Sequence, residues 1–124
     1  MKWIKFNKIE RQTRPDGRTI RKLLKEELGI SISSLQILFV THPPNIKEAL
    51  HCHEKSFEIL YFLDKAYYKI NGKGYLINKG DLIVFEPGDV HGAIPIDNEV
   101  RLLVIQTPAI IDDKKYEEVN NKVQ

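Results

Sequence analysis

Short apolar runs separated by turn residues at close intervals, with helical periodicity confined to one segment, predict an all-β sandwich or barrel. Ile4, Phe6 and Ile9 alternate weakly near the start, and Trp3, Ile4 and Phe6 could add an edge strand to a neighbouring copy. Ile20, Leu23, Leu24 and Leu28 then recur at helical spacing, with Asp16 or Thr19 as N-cap and Gly29 just past the end. This pattern predicts a short N-terminal helix. Stronger runs follow at Leu35 to Thr41, Phe57 to Leu63, Ala66 to Ile70, Tyr75 to Ile77, Leu82 to Phe85 and Val100 to Gln106. All of these read as strands. Asn71-Gly72-Lys73-Gly74, Asn78-Lys79-Gly80-Asp81 and Pro87-Gly88-Asp89 lie between them and supply positive φ or a preset turn φ, so most strands should be antiparallel neighbours. From Asp112 to the end apolar anchors are few, and the segment 112–124 is expected to fray and to carry no chemistry.

The chain has 124 residues, 42% apolar and 29% charged, the balance of one globular domain spanning residues 1–124. A core of that size stands without a disulfide or structural metal, so a metal here would be functional. Nineteen Lys+Arg against seventeen Asp+Glu leave a net charge of +2, too little for the positive field that a nucleic-acid partner demands. Cys52 is the single cysteine, and Met1-Lys2-Trp3-Ile4-Lys5 lacks the apolar core of a secretory signal, giving a cytoplasmic expectation. No run approaches the roughly 18 apolar residues of a membrane span. Even Phe57 to Leu63 contains Glu58.

An all-β barrel can enclose one small-ligand cavity, so the polar residues that face inward matter most. His51 and His53 are one residue apart and project from the same face of an extended strand, close enough to share an ion. Cys52 between them points the other way and reads as a small packed residue. Glu58 opens an apolar strand and shares its face with Leu60 and Phe62. A buried carboxylate needs a cation, a metal or its own neutral form. His91 follows the Pro87-Gly88 turn, which aims the next side chains sharply. Three imidazoles and one carboxylate suit Mn, Fe, Co, Ni or Zn rather than alkali or alkaline-earth ions.

At these positions the chain resembles the cupin superfamily. Its first motif, glycine, five residues, His-x-His, three or four residues, Glu, six residues, glycine, appears as Asn45, His51-Cys52-His53, Glu58 and Lys65. Its second, glycine, five residues, proline, any residue, glycine, two residues, His, three residues, Asn, appears as Gly80, Glu86, Gly88, His91 and Pro95. All four ligand positions match, whereas Asn45, Lys65, Glu86 and Pro95 depart at supporting positions. Asn at position 45 costs little, because Asn tolerates the left-handed region. The resemblance spans roughly residues 35 to 107. It implies a double-stranded β-helix, or jelly-roll barrel, with a divalent transition metal at its mouth held by His51, His53, Glu58 and His91, and frequent homodimers. The opening Asp16 to Leu24 looks like the lead-in of small single-domain cupins.

Each residue also has a plainer reading. The His-x-His pair alone could bond to backbone carbonyls or water, leaving a relic pocket. His42 precedes Pro43-Pro44 and reads as a loop residue outside the site. Glu86 is a candidate acid or base at the rim, against a solvated turn residue. Tyr61, Tyr67, Tyr68 and Tyr75 fit ordinary strand preference, and only one of Tyr67 and Tyr68 can face inward. Arg18, Arg21, Lys22 and Lys25 could hold an anion but read better as a solvated face beside Glu26 and Glu27. The functional expectation is a metal-dependent enzyme on a small polar metabolite, a sugar-type isomerase or epimerase or a dioxygenase. The alternative is a non-catalytic barrel that binds or senses a small molecule.

Overall fold

The computed structural model describes residues 1–17 and 19–117. Its N-terminal part holds β1 (Lys2–Ile4), one 3-10 turn at Phe6–Lys8, and a hairpin of β2 (Gln12–Thr13) and β3 (Thr19–Ile20). β4 (Gln36–His42), β5 (His51–His53), β6 (Phe57–Phe62), β7 (Ala66–Ile70) and β8 (Lys73–Ile77) follow. The chain continues through β9 (Leu82–Phe85), β10 (His91–Ala93), β11 (Val100–Thr107) and β12 (Lys114–Tyr116). One five-stranded sheet runs β1-β9-β6-β11-β4 and the other β12-β5-β10-β7-β8. Every pairing within them is antiparallel.

The two sheets meet along the residues that alternation turns inward. Leu60 and Phe62 of β6 and Val100, Leu102 and Val104 of β11 face Ala66, Tyr68 and Ile70 of β7 and Ile77 of β8. Phe62 and Tyr68 meet edge to face across that interior, ring centroids 5.4 Å apart. Burying each large side chain contributes about 1.5–3 kcal/mol, enough for the core to stand without an ion. Asn71 (φ 47°) and Gly72 (φ 85°) form the two-residue turn that joins β7 to β8. Asn45 occupies the left-handed region at φ 64°, the conformation its side chain tolerates where the motif has glycine.

Three expectations need correction. No helix forms over residues 20–28, where Ile20 belongs to β3 and residues 21–28 have no regular structure. Isolated helices shorter than ~12 residues are marginal in water. Here Leu23, Leu24 and Leu28 are only half-buried, and the segment is held by side chains instead, with Arg21 over the Phe6 ring and Lys2 paired with Glu26. Second, β1 adds to its own chain's sheet: Trp3 pairs with Ile83 of β9, and its indole N–H donates to Asp81 at 3.0 Å. Third, the segment after Asp112 is anchored through Tyr116. β12 pairs with β5 in the register Lys114 to His53 and Tyr116 to His51. The Asp113 carboxylate, buried, accepts from the backbone N–H of Ser56 at 2.9 Å and of Lys55 at 3.1 Å. One carboxylate meeting two converging N–H groups replaces the missing apolar anchors. Arg18 and residues 118–124 lie outside the described residues. Among those described, no helix is long and apolar enough to cross a membrane.

Candidate metal centre

The candidate ligands come from both sheets. β5 contributes His51 and His53, β10 contributes His91, and β6 of the opposite sheet contributes Glu58. His51 and His91 are direct partners across the β5–β10 ladder, with rings 4.6 Å apart. One ligand atom from each of His51, His53 and Glu58 falls within 4.8 Å of the others. The His53 Nε2–H donates to one Glu58 oxygen at 3.0 Å and the His91 Nε2–H to the other at 2.9 Å. The extended β5 places two imidazoles on one face, and the turn at Gly88 (φ 91°) brings the third from a neighbouring strand.

Backbone carbonyls orient two of the rings. The His51 Nδ1–H donates to Ala49 O at 2.8 Å, and the His91 Nδ1–H donates to Asp89 O at 2.9 Å. With Nδ1 thus engaged, Nε2 of each is the nitrogen that would ligate an ion, which in His91 would replace the proton donated to Glu58. His91 also lies flat on Phe85, centroids 3.7 Å and planes 3° apart. His53 Nδ1 is buried without a hydrogen-bond partner among the described residues, 3.7 Å from an Asp113 oxygen.

The electrostatics agree with a cation site. Burial alone would push the Glu58 carboxyl up, but hydrogen bonds from His53 and His91 and their charge outweigh it and hold the group well below the usual carboxylate range. Burial lowers His51, assisted by the neighbouring His91 and Lys114 and opposed by the Ala49 carbonyl and Glu48. Two imidazoles and a carboxylate within reach of one another, with a third imidazole on that carboxylate, are a donor set that suits a divalent transition ion. His51, His53, Glu58 and His91 are the residues that would hold it.

A cavity of about 220 Å³ opens beside the cluster, lined by His51, Glu58 and His91 together with Leu38, Leu60, Leu102 and Val104. Tyr68 rather than Tyr67 turns into it. Cys52 faces away, toward Val90 and Tyr116. Glu86 is exposed on its turn, where its backbone N–H donates to Asp89, and it is not among the residues lining the cavity. Of the basic cluster, Lys22 and Lys25 are exposed, the solvated reading expected.

Four residues near the centre escaped the sequence. His42 ends β4 as a buried, inward-facing residue, not a loop histidine. The alternation Leu38, Val40, His42 would have found it, had the prolines after it not suggested a loop. Glu48 precedes β5 in an irregular segment and has no pattern to signal it; its Oε1 accepts from the Ala93 N–H at 3.1 Å. Lys114 and Asp113 fall in the segment 112–124, which the scarcity of apolar anchors marks as a fraying tail.

The family model described as "AraC-like ligand binding domain" matches residues 36–111. Among curated proteins none matches. Solved structures do. A conserved protein with a double-stranded β-helix domain from Klebsiella pneumoniae is 18% identical, with 78% of this chain and 87% of that chain covered at a TM-score of 0.62. The DMSP lyase DddQ from Ruegeria pomeroyi is 21% identical, with 67% and 43% covered and a TM-score of 0.60. A salicylate 1,2-dioxygenase variant from Pseudoaminobacter salicylatoxidans, in complex with gentisate, is 15% identical, with 69% and 25% covered and a TM-score of 0.60. The chain thus spans under half of the lyase and a quarter of the dioxygenase. These likenesses establish the double-stranded β-helix, the jelly-roll barrel of the cupins.

Proposed function

The chain belongs to the AraC-like ligand-binding domain family, and on that premise we propose a metal-dependent cupin acting on a small polar metabolite. His51, His53, Glu58 and His91 serve as its metal ligands. The observation that carries this reading is the grouping of His51, His53 and Glu58 from two sheets beside a cavity, with His91 joined to the group through Glu58. A bound divalent ion supplies Lewis acidity toward a carbonyl or hydroxyl oxygen of the ligand. The chain's own residues do the rest. Carbonyls of Ala49 and Asp89 fix the His51 and His91 rings, Glu58 neutralises charge, and the walls Leu38, Leu60, Leu102 and Val104 exclude water from one side.

Dioxygenation and sugar-type isomerisation or epimerisation are the two reaction classes that fit. The first requires a redox-active ion with two open positions, and the dioxygenase neighbour supports it; the second requires an additional base. A second reading, a binding or sensing barrel without turnover, is supported by the description of the family itself. Metal analysis of untagged protein by inductively coupled plasma mass spectrometry tests the proposal. We expect about one iron or manganese per chain, lost in His51→Ala, His53→Ala and His91→Ala with the circular dichroism spectrum unchanged. Absence of metal even after reconstitution would sink the metal reading. Product formation from sugar phosphates or diketones by loaded protein, against binding alone, separates the enzyme from the sensor.

A homodimer completes the proposal. β4 lies at the edge of its sheet with Ile37 61% and Phe39 62% exposed, and no Lys, Arg, Asp or Glu occurs from Leu28 to Ile46. Edge strands are ordinarily protected by charge, and an edge without it leaves its unpaired N–H and C=O groups open to antiparallel pairing with a second copy.

A further inference from the structure

Four polar side chains line the cavity without belonging to the ligand set: His42, Glu48, Tyr68 and, at the rim, Lys114. The His42 side chain is more than nine-tenths buried, and its Nδ1 has no hydrogen-bond partner among the described residues. Its Nε2 stands 3.9 Å from Glu48 Oε2, beyond hydrogen-bond reach. The ring therefore enters the cavity with neither nitrogen hydrogen-bonded among the described residues. Glu48 is held in place by the Ala93 N–H on Oε1, which leaves Oε2 as the oxygen on the His42 side. Tyr68 is buried, and burial first, then the carboxylates of Glu48 and Glu58, push its hydroxyl group well above the ordinary range. It stays a neutral phenol, able to donate and to accept. Lys114 lines the same cavity and places a positive charge at its rim.

We propose that His42, Glu48 and Tyr68 form a hydroxyl-recognition subsite, and that the ligand is a small polyhydroxy acid with a hydroxyl beyond its metal-chelating end. A hydroxyl both donates and accepts, so it can donate to Glu48 Oε2 while accepting from the phenol or from His42. The surrounding side chains Leu38, Val40, Leu60, Leu102 and Val104 offer no hydrogen bonds, so a ligand lacking that hydroxyl strands the three polar groups. An α-hydroxy carboxylate offers two oxygens to the ion, and its net negative charge suits Lys114. This inference rests on the metal reading above.

Calorimetric titration of manganese-loaded protein with matched acids tests it. Glycerate is compared with lactate, and erythronate with 2-hydroxybutyrate; each pair shares the chelating end and carbon count and differs in the distal hydroxyls. We expect at least one hydroxylated acid to bind ten-fold or more tightly than its partner. His42→Phe and Glu48→Gln, made separately, should each erase that preference while leaving lactate affinity and manganese content at the wild-type level. The second variant keeps the test open should the first fail to fold. Equal affinities within both pairs would mean that only water fills the subsite, and a preference that survives both substitutions would place recognition elsewhere; either result overturns the inference while the metal reading stands. Failure of the wild type to bind manganese would instead overturn the metal reading and the subsite with it.

Discussion

The His91 ring is positioned from three sides: stacked on Phe85 at 3.7 Å, bonded through Nδ1 to Asp89 O, and turned by Nε2 toward Glu58. Phe85 is almost fully buried and pairs in register with Glu58, so one side chain supports a histidine and its strand supports the carboxylate. Replacing Phe85 by Leu keeps most of the volume and should cost less than about 1.5 kcal/mol. It removes the flat surface that orients the imidazole. Metal affinity should fall by roughly ten-fold, as for other groups that orient a ligand, and competition with a chromophoric chelator would measure it. Unchanged affinity would show that the Asp89 carbonyl alone holds the ring.

At the scale of elements, β5 is only three residues long yet carries two candidate ligands, and it is kept in place by β10 on one side and β12 on the other. Asp113 ties β12 to the start of β6 through the N–H groups of Lys55 and Ser56. Asp113→Ala leaves those donors without their partner, at a cost of about 1–3 kcal/mol. For a domain of this size the melting temperature should drop by roughly 5–15 °C. Hydrogen exchange should rise at Cys52, whose strand loses its outer neighbour. A melting temperature equal to wild type would mean that β12 is held by its backbone ladder alone.

At the scale of the whole molecule, the proposed homodimer rests on the β4 edge. Leu38 and Val40 of that strand line the cavity, whereas Ile37 and Phe39 point outward, so a second copy paired along β4 would also wall the cavity's open flank. Sedimentation at micromolar concentration should give a dimer for the wild type and a monomer for Phe39→Lys, with metal content retained in both. A monomeric wild type would remove the assembly and leave the site as described. Metal should raise the melting temperature of either form, since an ion bound only by the native state stabilises by about 2.7 kcal/mol at a hundred-fold excess over its Kd.

Much of this was legible in the chain itself. Period-two alternation, Gly and Asn turns and the spacing of His51, His53, Glu58 and His91 are local or motif-level signals, and they led to the all-β class, the strand runs and the candidate ligand set. A helical stripe at Ile20 to Leu28 is equally local, yet it forms no helix, because a short stripe needs a face to pack against and only the tertiary structure says whether one exists. The same limit hid Glu48, Asp113 and the inward turn of His42. Their neighbours, Ala93, Ser56 and the cavity wall, lie 45, 57 and more residues away or on another sheet. A side chain's burial and partners are set by which strands meet across the barrel, and that meeting depends on register and sheet order rather than on the residues beside it in sequence.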